Sequence, residues 1–154
     1  MENKKSIGVI VFSWIYLISA VSCILAALIS FAIISLPQEH KIEVLKNPTT
    51  QQLGINSIAE IDKYYQSKIK QTLPLGIITL IATIGLFRLK RWSLTGIILV
   101  AIWGILDQAF KILGKNTVHY PLSVGYNISV IFGLLLYILT IYFFTRPKVR
   151  EQFR

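Results

Sequence analysis

The chain has 154 residues, of which 54% are hydrophobic and 15% charged, and its mean hydropathy is +0.62. Soluble domains of this length are less apolar and carry more charge, so the composition predicts a protein surrounded by lipid. The net charge of +9 does not indicate a nucleic-acid partner, because the cations cluster at the ends of apolar runs and form no basic face interleaved with aromatic residues. The single cysteine, Cys23, excludes an intramolecular disulfide framework.

Four apolar runs predict an all-α, polytopic membrane protein that folds as one domain over 1–154. A helix needs about 20 apolar residues to cross the hydrocarbon core of a bilayer. We therefore expect four transmembrane helices, at about 7–36, 73–89, 92–113 and 122–144.

The first apolar run has a competing interpretation as a secretory signal peptide. Lys4 and Lys5 would then form its basic region, with cleavage after Ala20-Val21-Ser22 or, in a lipoprotein, before Cys23. The apolar region of a signal peptide is only about 7–15 residues long, whereas this run continues to Leu36. We expect it to remain as the first transmembrane helix.

The segment between the second and third runs determines the predicted orientation. It contains Arg88, Lys90 and Arg91 and no acidic residue, and short cation-rich loops are retained in the cytoplasm. The longer segment 37–72 is nearly balanced in charge, so we place it outside the cytoplasm. Both termini are then cytoplasmic, and the basic ends face anionic lipid headgroups. The predicted topology determinants are Lys4, Lys5, Arg88, Lys90, Arg91, Arg146, Lys148 and Arg150.

The outer segment 37–72 contains the pattern of a short amphipathic helix. Ser57-Ile58-Ala59-Glu60 has the spacing of a capping box. The apolar residues that follow at helical spacing are Ile58, Ile61, Tyr65 and Ile69. Their stripe could lie on the outer end of the bundle or in the headgroup layer, or it could grip a ligand. Pro74 predicts a break or bend near Leu73, which would separate this helix from the second span.

Two features within the later spans are candidates for function or packing. Asp107 lies towards the outer end of the third span, where it could pair with Lys111 one turn later or serve as a proton or ion relay. In the fourth span, Gly125, Ser129 and Gly133 repeat every four residues. This spacing predicts a surface of small residues against which a neighbouring helix packs closely.

The residues that could form a metal site on the outer side are His40, Glu43, His119 and Asp107. If they converge, they could bind a divalent cation weakly or form a proton-sensitive contact between the outer loops. They lack the fixed spacing of a zinc motif, and the alternative is that the histidines are solvated loop residues. No phosphate-binding loop or catalytic signature is found, so we expect no cofactor and no enzymatic activity.

Two stretches carry a resemblance to a known group of proteins. Gly85-Leu86-Phe87-Arg88-Leu89-Lys90-Arg91-Trp92 and the ending Tyr142-Phe143-Phe144-Thr145-Arg146-Pro147-Lys148-Val149-Arg150-Glu151-Gln152-Phe153 resemble features of small prokaryotic four-helix membrane proteins of uncharacterised function. The resemblance implies a prokaryotic inner-membrane location. It brings no activity, cofactor or catalytic residue with it.

These patterns lead to two functional hypotheses. The first is a structural or accessory subunit that packs against another copy of itself or against a larger membrane partner. The alternative is a small transport or sensing unit that uses the outer loop and Asp107. Almost no ionisable group is predicted near the middle of the membrane, where ion-coupled transporters place theirs, and this favours the first hypothesis.

Overall fold

The computed structural model describes residues 6–52, 54–113 and 124–153, and for 49, 52, 111–113 and 124–129 it describes the backbone alone. All regular structure in this part of the chain is helical, which confirms the predicted all-α class. The helices are α1 Ile7–Ile34, α2 Gln38–Lys46, α3 Pro48–Gln52, α4 Ile58–Phe87, α5 Arg91–Leu113, α6 Val124–Thr145 and α7 Pro147–Arg150.

Three helices in the described residues are long and apolar enough to cross a membrane, at Ile7–Ile34, Ile58–Phe87 and Arg91–Phe110. A fourth apolar stretch covers Val130–Thr145 within α6. Helix lengths and composition are therefore those of a helical membrane protein, as predicted.

The first helix begins and ends close to the predicted boundaries. Ser6 is its N-cap, and the Ser6 hydroxyl accepts a hydrogen bond from the backbone N–H of Val9 at 3.4 Å. Ser35 caps the other end, before Pro37. Inside the helix, the hydroxyls of Ser13 and Ser30 donate to the carbonyls one turn earlier, each at 2.7 Å. These bonds satisfy hydroxyl groups for which lipid offers no partner.

Helix α4 differs from the prediction, because the amphipathic segment and the second span are one continuous helix of 30 residues. Of the predicted break or bend near Leu73, the break does not occur, and Pro74 lies inside the continuous helix. A proline removes a single N–H donor, and packing on both sides of it can hold the helix together. Gly76, two residues later, provides such packing: a Cβ there would lie 3.3 Å from the carbonyl oxygen of Ala20 in α1.

The capping box at the start of α4 forms with one change. The Ser57 hydroxyl accepts from the N–H of Glu60 at 3.3 Å, as the pattern predicts. The Glu60 carboxylate, however, accepts from the N–H of Asn56 at 2.7 Å rather than from that of Ser57. The apolar stripe faces inward, since Ile61 is completely buried.

Helices α4 and α5 are joined by a very tight turn. The N–H of Lys90 donates to the carbonyl of Gly85, and the N–H of Leu89 donates to that of Leu86, each at 3.0 Å. This is the Schellman arrangement, in which the residue after the helix adopts the left-handed conformation. Leu89 does so with φ of 51°, a conformation that costs energy for a branched residue, while its side chain packs against the core.

The bundle is assembled from neighbouring antiparallel pairs. Helix α1 packs along α4, α4 along α5, and α5 along α6. Helices α1 and α6 meet through side chains: the Tyr16 hydroxyl donates to the Thr140 hydroxyl at 3.0 Å, and the Phe12 and Phe143 rings stack with centroids 5.0 Å apart. We call the end of the bundle that carries the α4–α5 turn and α7 the hairpin end, and the opposite end, with α2 and α3, the loop end.

We expect Gly85→Ala to destabilise the fold more than Gly133→Ala. A Cβ at Gly85 would lie 2.6 Å from the Cβ of Ser93 and 2.7 Å from the Trp92 ring, whereas at Gly133 the nearest atom is Nε2 of Gln108 at 3.5 Å. Alanine favours a helix similarly at both sites, so the difference isolates packing, at about 1–3 kcal/mol. Thermal unfolding in one detergent would measure it. Equal stability of the two variants would contradict the close approach at Gly85.

Candidate functional site

The chain after α6 turns back and covers the hairpin end. Arg146 is in an extended conformation before Pro147, which begins the short helix α7. The backbone N–H of Ser6 donates to Oε1 of Gln152 at 3.0 Å, and Nε of Arg91 donates to the carbonyl of Phe153 at 3.4 Å. These bonds join the final segment, residues 146–153, to the starts of both α1 and α5.

Apolar side chains from α1, α4, α5, α6 and the final segment fill the hairpin end. Phe144 and Phe153 are almost completely buried, with ring centroids 6.3 Å apart. The Phe143 ring lies directly over Gly8, where a Cβ would be 2.6 Å from Cε2 of the ring. The buried cluster comprises Val9, Tyr16, Ala82, Leu86, Leu94, Ile97, Val100, Phe144, Val149 and Phe153. This end of the bundle is a closed apolar core.

A groove of about 660 Å³ lies beside this core, between α5 and the segment containing α7. Leu94, Ile98, Phe144 and Pro147 are its apolar lining residues, which we call the wall, and Thr95 and Thr145 add two hydroxyl groups to the lining. The charged lining residues, which we call the rim, are Arg91, Arg150 and Glu151, and all three are exposed. Two guanidinium groups against one carboxylate leave the rim with a net positive charge. The lining therefore combines apolar side chains with a net positive charge.

The cations predicted to set the topology gather at the hairpin end. Arg88, Lys90, Arg91, Arg146, Lys148 and Arg150 are all exposed there. Arg146 is additionally oriented by Tyr142: its guanidinium lies 4.4 Å from the ring centroid and donates to the phenol oxygen. Lys4 and Lys5 lie outside the described residues.

Of the predicted metal ligands, the structure brings His40 and Glu43 near each other. Nδ1 of His40 is 3.9 Å from the Glu43 carboxylate, and both side chains are well exposed. Asp107 lies on α5 and is close enough to Tyr137 of α6 to interact with it electrostatically. His119 lies outside the described residues, as does the Lys111 side chain. Within the part of the chain that is described, no three potential ligands form a group.

Of the close-packing surface predicted on α6, the surroundings of Gly133 are described. Gly125 and Ser129 lie in 124–129, where the backbone alone is described. Gly133 faces Gln108 of α5. Gly104 on α5 makes a tighter contact, since a Cβ there would lie 2.7 Å from Cε1 of Tyr137. The Gln108 side-chain oxygen is buried and accepts no hydrogen bond from any described residue.

Sequence reasoning missed an ion pair that holds α2 against α4. Nζ of Lys41 lies 2.7 Å from Oδ1 of Asp62, and only 8% of the Lys41 side chain is exposed. The partners are 21 residues apart and belong to different helices. Local spacing rules such as i,i+4 pairing gave no signal for it.

No family model, curated protein or solved structure matches the chain.

We expect Asp62→Ala to lower the free energy of unfolding by about 1–3 kcal/mol, because it leaves the buried Lys41 ammonium without its carboxylate. Lys63→Ala, which removes a neighbouring exposed charge, serves as the control and should have little effect. Replacing both partners, as Lys41→Met with Asp62→Ala, should recover most of the loss. Thermal unfolding of the four proteins tests this. A double variant as unstable as Asp62→Ala would refute the explanation.

Proposed function

We propose that the protein spans a prokaryotic inner membrane four times, with both termini and the hairpin end in the cytoplasm. The three long apolar helices and the length of α6, 22 residues or about 33 Å, support this arrangement. Helix α4 would extend beyond the hydrocarbon at its charged beginning, since its 30 residues span about 45 Å.

The distribution of charge supports the proposed orientation. Six exposed cations gather at the hairpin end: Arg88, Lys90, Arg91, Arg146, Lys148 and Arg150. At the loop end, by contrast, α2 carries Glu39 and Glu43 alongside Lys41 and Lys46. Cation-rich short segments remain in the cytoplasm, and anionic headgroups of that leaflet attract them.

Within the membrane, the protein acts as a structural or accessory subunit. The closed apolar core of the hairpin end is the observation that carries this proposal. A solute path through one copy of the bundle would have to pass Leu86, Phe144 and Phe153, whose side chains are completely or almost completely buried against one another. A sealed, close-packed end suits a protein whose role depends on its outer surface.

Helix α1 offers a surface for lateral association. Only 17% of the most apolar 18-residue stretch of α1 is buried inside the bundle. The large apolar residues that it exposes include Trp14, Ile18, Leu25, Leu28 and Phe31. In a bilayer these side chains contact lipid or a neighbouring helix, so the partner is a second copy of the chain or a larger membrane protein.

A transport or sensing unit is the second candidate, and one cluster favours it. Asp107 on α5 interacts electrostatically with Tyr137 on α6, and Gln108, the next residue, lies beside Gly133 of α6. Polar and acidic groups between membrane helices are typical of ion or ligand pathways. In this case Asp107 and the outer loop would bind the solute.

Cysteine labelling tests the topology. After Cys23→Ala, we expect a cysteine at Lys63 to react with a membrane-impermeant reagent in intact cells, because the orientation places it outside. A cysteine at Lys148 should react only after the membrane is opened. Both native side chains are exposed, so accessibility within the fold does not limit either reaction. Labelling of the Lys63 position from the cytoplasmic side alone would overturn the orientation.

Extraction in a mild detergent tests the accessory role. We expect the protein to leave the membrane in a complex of fixed ratio, with itself or with a larger protein. A photo-crosslinking residue at Ile18, which is 64% exposed on α1, should join the chain to that partner in intact membranes. A monomer that forms no crosslink, and whose unfolding temperature shifts with an added solute unless Asp107→Asn is present, would favour the sensing alternative.

A further inference from the structure

We propose that the groove beside α7 binds one anionic phospholipid, with the phosphate held by Arg91 and Arg150 and an acyl chain lying along the apolar wall. The inference rests on the proposed membrane orientation, because the groove must lie at the depth of the cytoplasmic headgroups. It goes beyond a general attraction of basic residues to the bilayer, since it assigns a single site with defined contacts.

The shape and chemistry of the groove fit a molecule that is charged at one end and apolar at the other. Its volume of about 660 Å³ falls in the range of small-molecule sites and exceeds what a phosphate ion alone would fill. Ile98 and Pro147 provide the accessible part of the apolar wall, which a soluble anion would leave in contact with water, whereas Leu94 and Phe144 are already buried. An acyl chain would cover this wall.

The cationic rim is placed to bind a phosphate group. Guanidinium groups bind phosphate oxygens through paired N–H donors. The hydrogen bond from Nε of Arg91 to the Phe153 carbonyl orients that guanidinium and leaves its remaining N–H groups for a ligand. Arg150 also lines the groove and is exposed, and Glu151 is the single carboxylate of the lining, so the rim complements a monoanionic headgroup.

The neighbouring residue Lys148 provides a matched control. It belongs to the same four-residue helix as Arg150, is also exposed and carries the same charge, but it does not line the groove. Arg150→Gln and Lys148→Gln therefore reduce the net charge equally. Only the first removes a proposed contact with the lipid.

Native mass spectrometry of the protein in nonionic detergent, titrated with phosphatidylglycerol, tests the proposal. We expect saturable binding of one lipid, about tenfold weaker binding to Arg150→Gln, and binding to Lys148→Gln within about twofold of that of the unchanged protein. Phosphatidylcholine should bind more weakly than phosphatidylglycerol. Equal losses in the two variants would show diffuse charge attraction and would overturn the site, as would equal binding of the two lipids.

Two further arms distinguish a phospholipid from a free phosphate and from charge alone. Glycerol phosphate, added at the same concentrations, should neither bind nor displace the lipid. If glycerol phosphate displaces the lipid at these concentrations, the proposal of a lipid site is wrong. Thr95→Trp should block the groove without altering charge, because Thr95 is exposed within the lining. Leu99→Trp, at an exposed position of the same helix outside the lining, should leave binding unchanged.

Failure of this experiment and failure of the proposed function are distinguishable. Binding in detergent does not depend on which way the protein is inserted. Loss of the lipid site would therefore leave the cysteine-labelling and complex-formation results intact, and a reversed topology would appear in the labelling while the lipid still bound.

Discussion

The close approach of α5 to Gly85 is the constraint on which the hairpin end depends. Because Gly85 has no side chain, Ser93 and Trp92 can lie against the last turn of α4, and the carbonyl of Gly85 accepts the bond that closes the turn. This position of α5 places Arg91 within reach of the Phe153 carbonyl. The final segment can then dock, and its apolar residues complete the core. A larger residue at 85 would therefore disturb a turn, a helix pair and a docked segment together.

Polar side chains inside the bundle are used in a way that suits lipid. The hydroxyls of Ser13, Ser30, Thr83 and Thr140 each donate to a carbonyl one turn earlier in their own helix. Such bonds remove the cost of an unpaired hydroxyl without linking helices. Thr140 also accepts from Tyr16, which does link α6 to α1. Bonds of this kind contribute about 0.6–2 kcal/mol in membranes, so close packing at the glycines remains the main source of specificity.

The sequence was informative where local chemistry determines structure and uninformative where distant residues meet. Pro37 marked the end of α1, and Ser57 marked the start of α4. Pro74 did not predict the continuity of α4, because α4 packs along α1 on both sides of the proline and no local pattern reveals that packing. The ion pair of Lys41 with Asp62 and the bond between Ser6 and Gln152 join residues 21 and 146 positions apart, so both required the fold. The groove could not be predicted for the same reason, because its two arginines come from α5 and from the docked segment.

Charge at the hairpin end has two separate proposed roles, and helix geometry distinguishes them. For topology, every cation of the final segment is equivalent, since retention in the cytoplasm depends on how many cations a segment carries near the membrane. For binding, position matters: residues two apart in a helix point about 200° from each other, so Lys148 and Arg150 face nearly opposite directions. Arg150 lines the groove and Lys148 does not. If the cations served orientation alone, it would make no difference whether Lys148 or Arg150 lined the groove. In the proposed orientation, the docked segment would therefore supply positive charge for topology and would also direct one of its cations, Arg150, towards a bound headgroup.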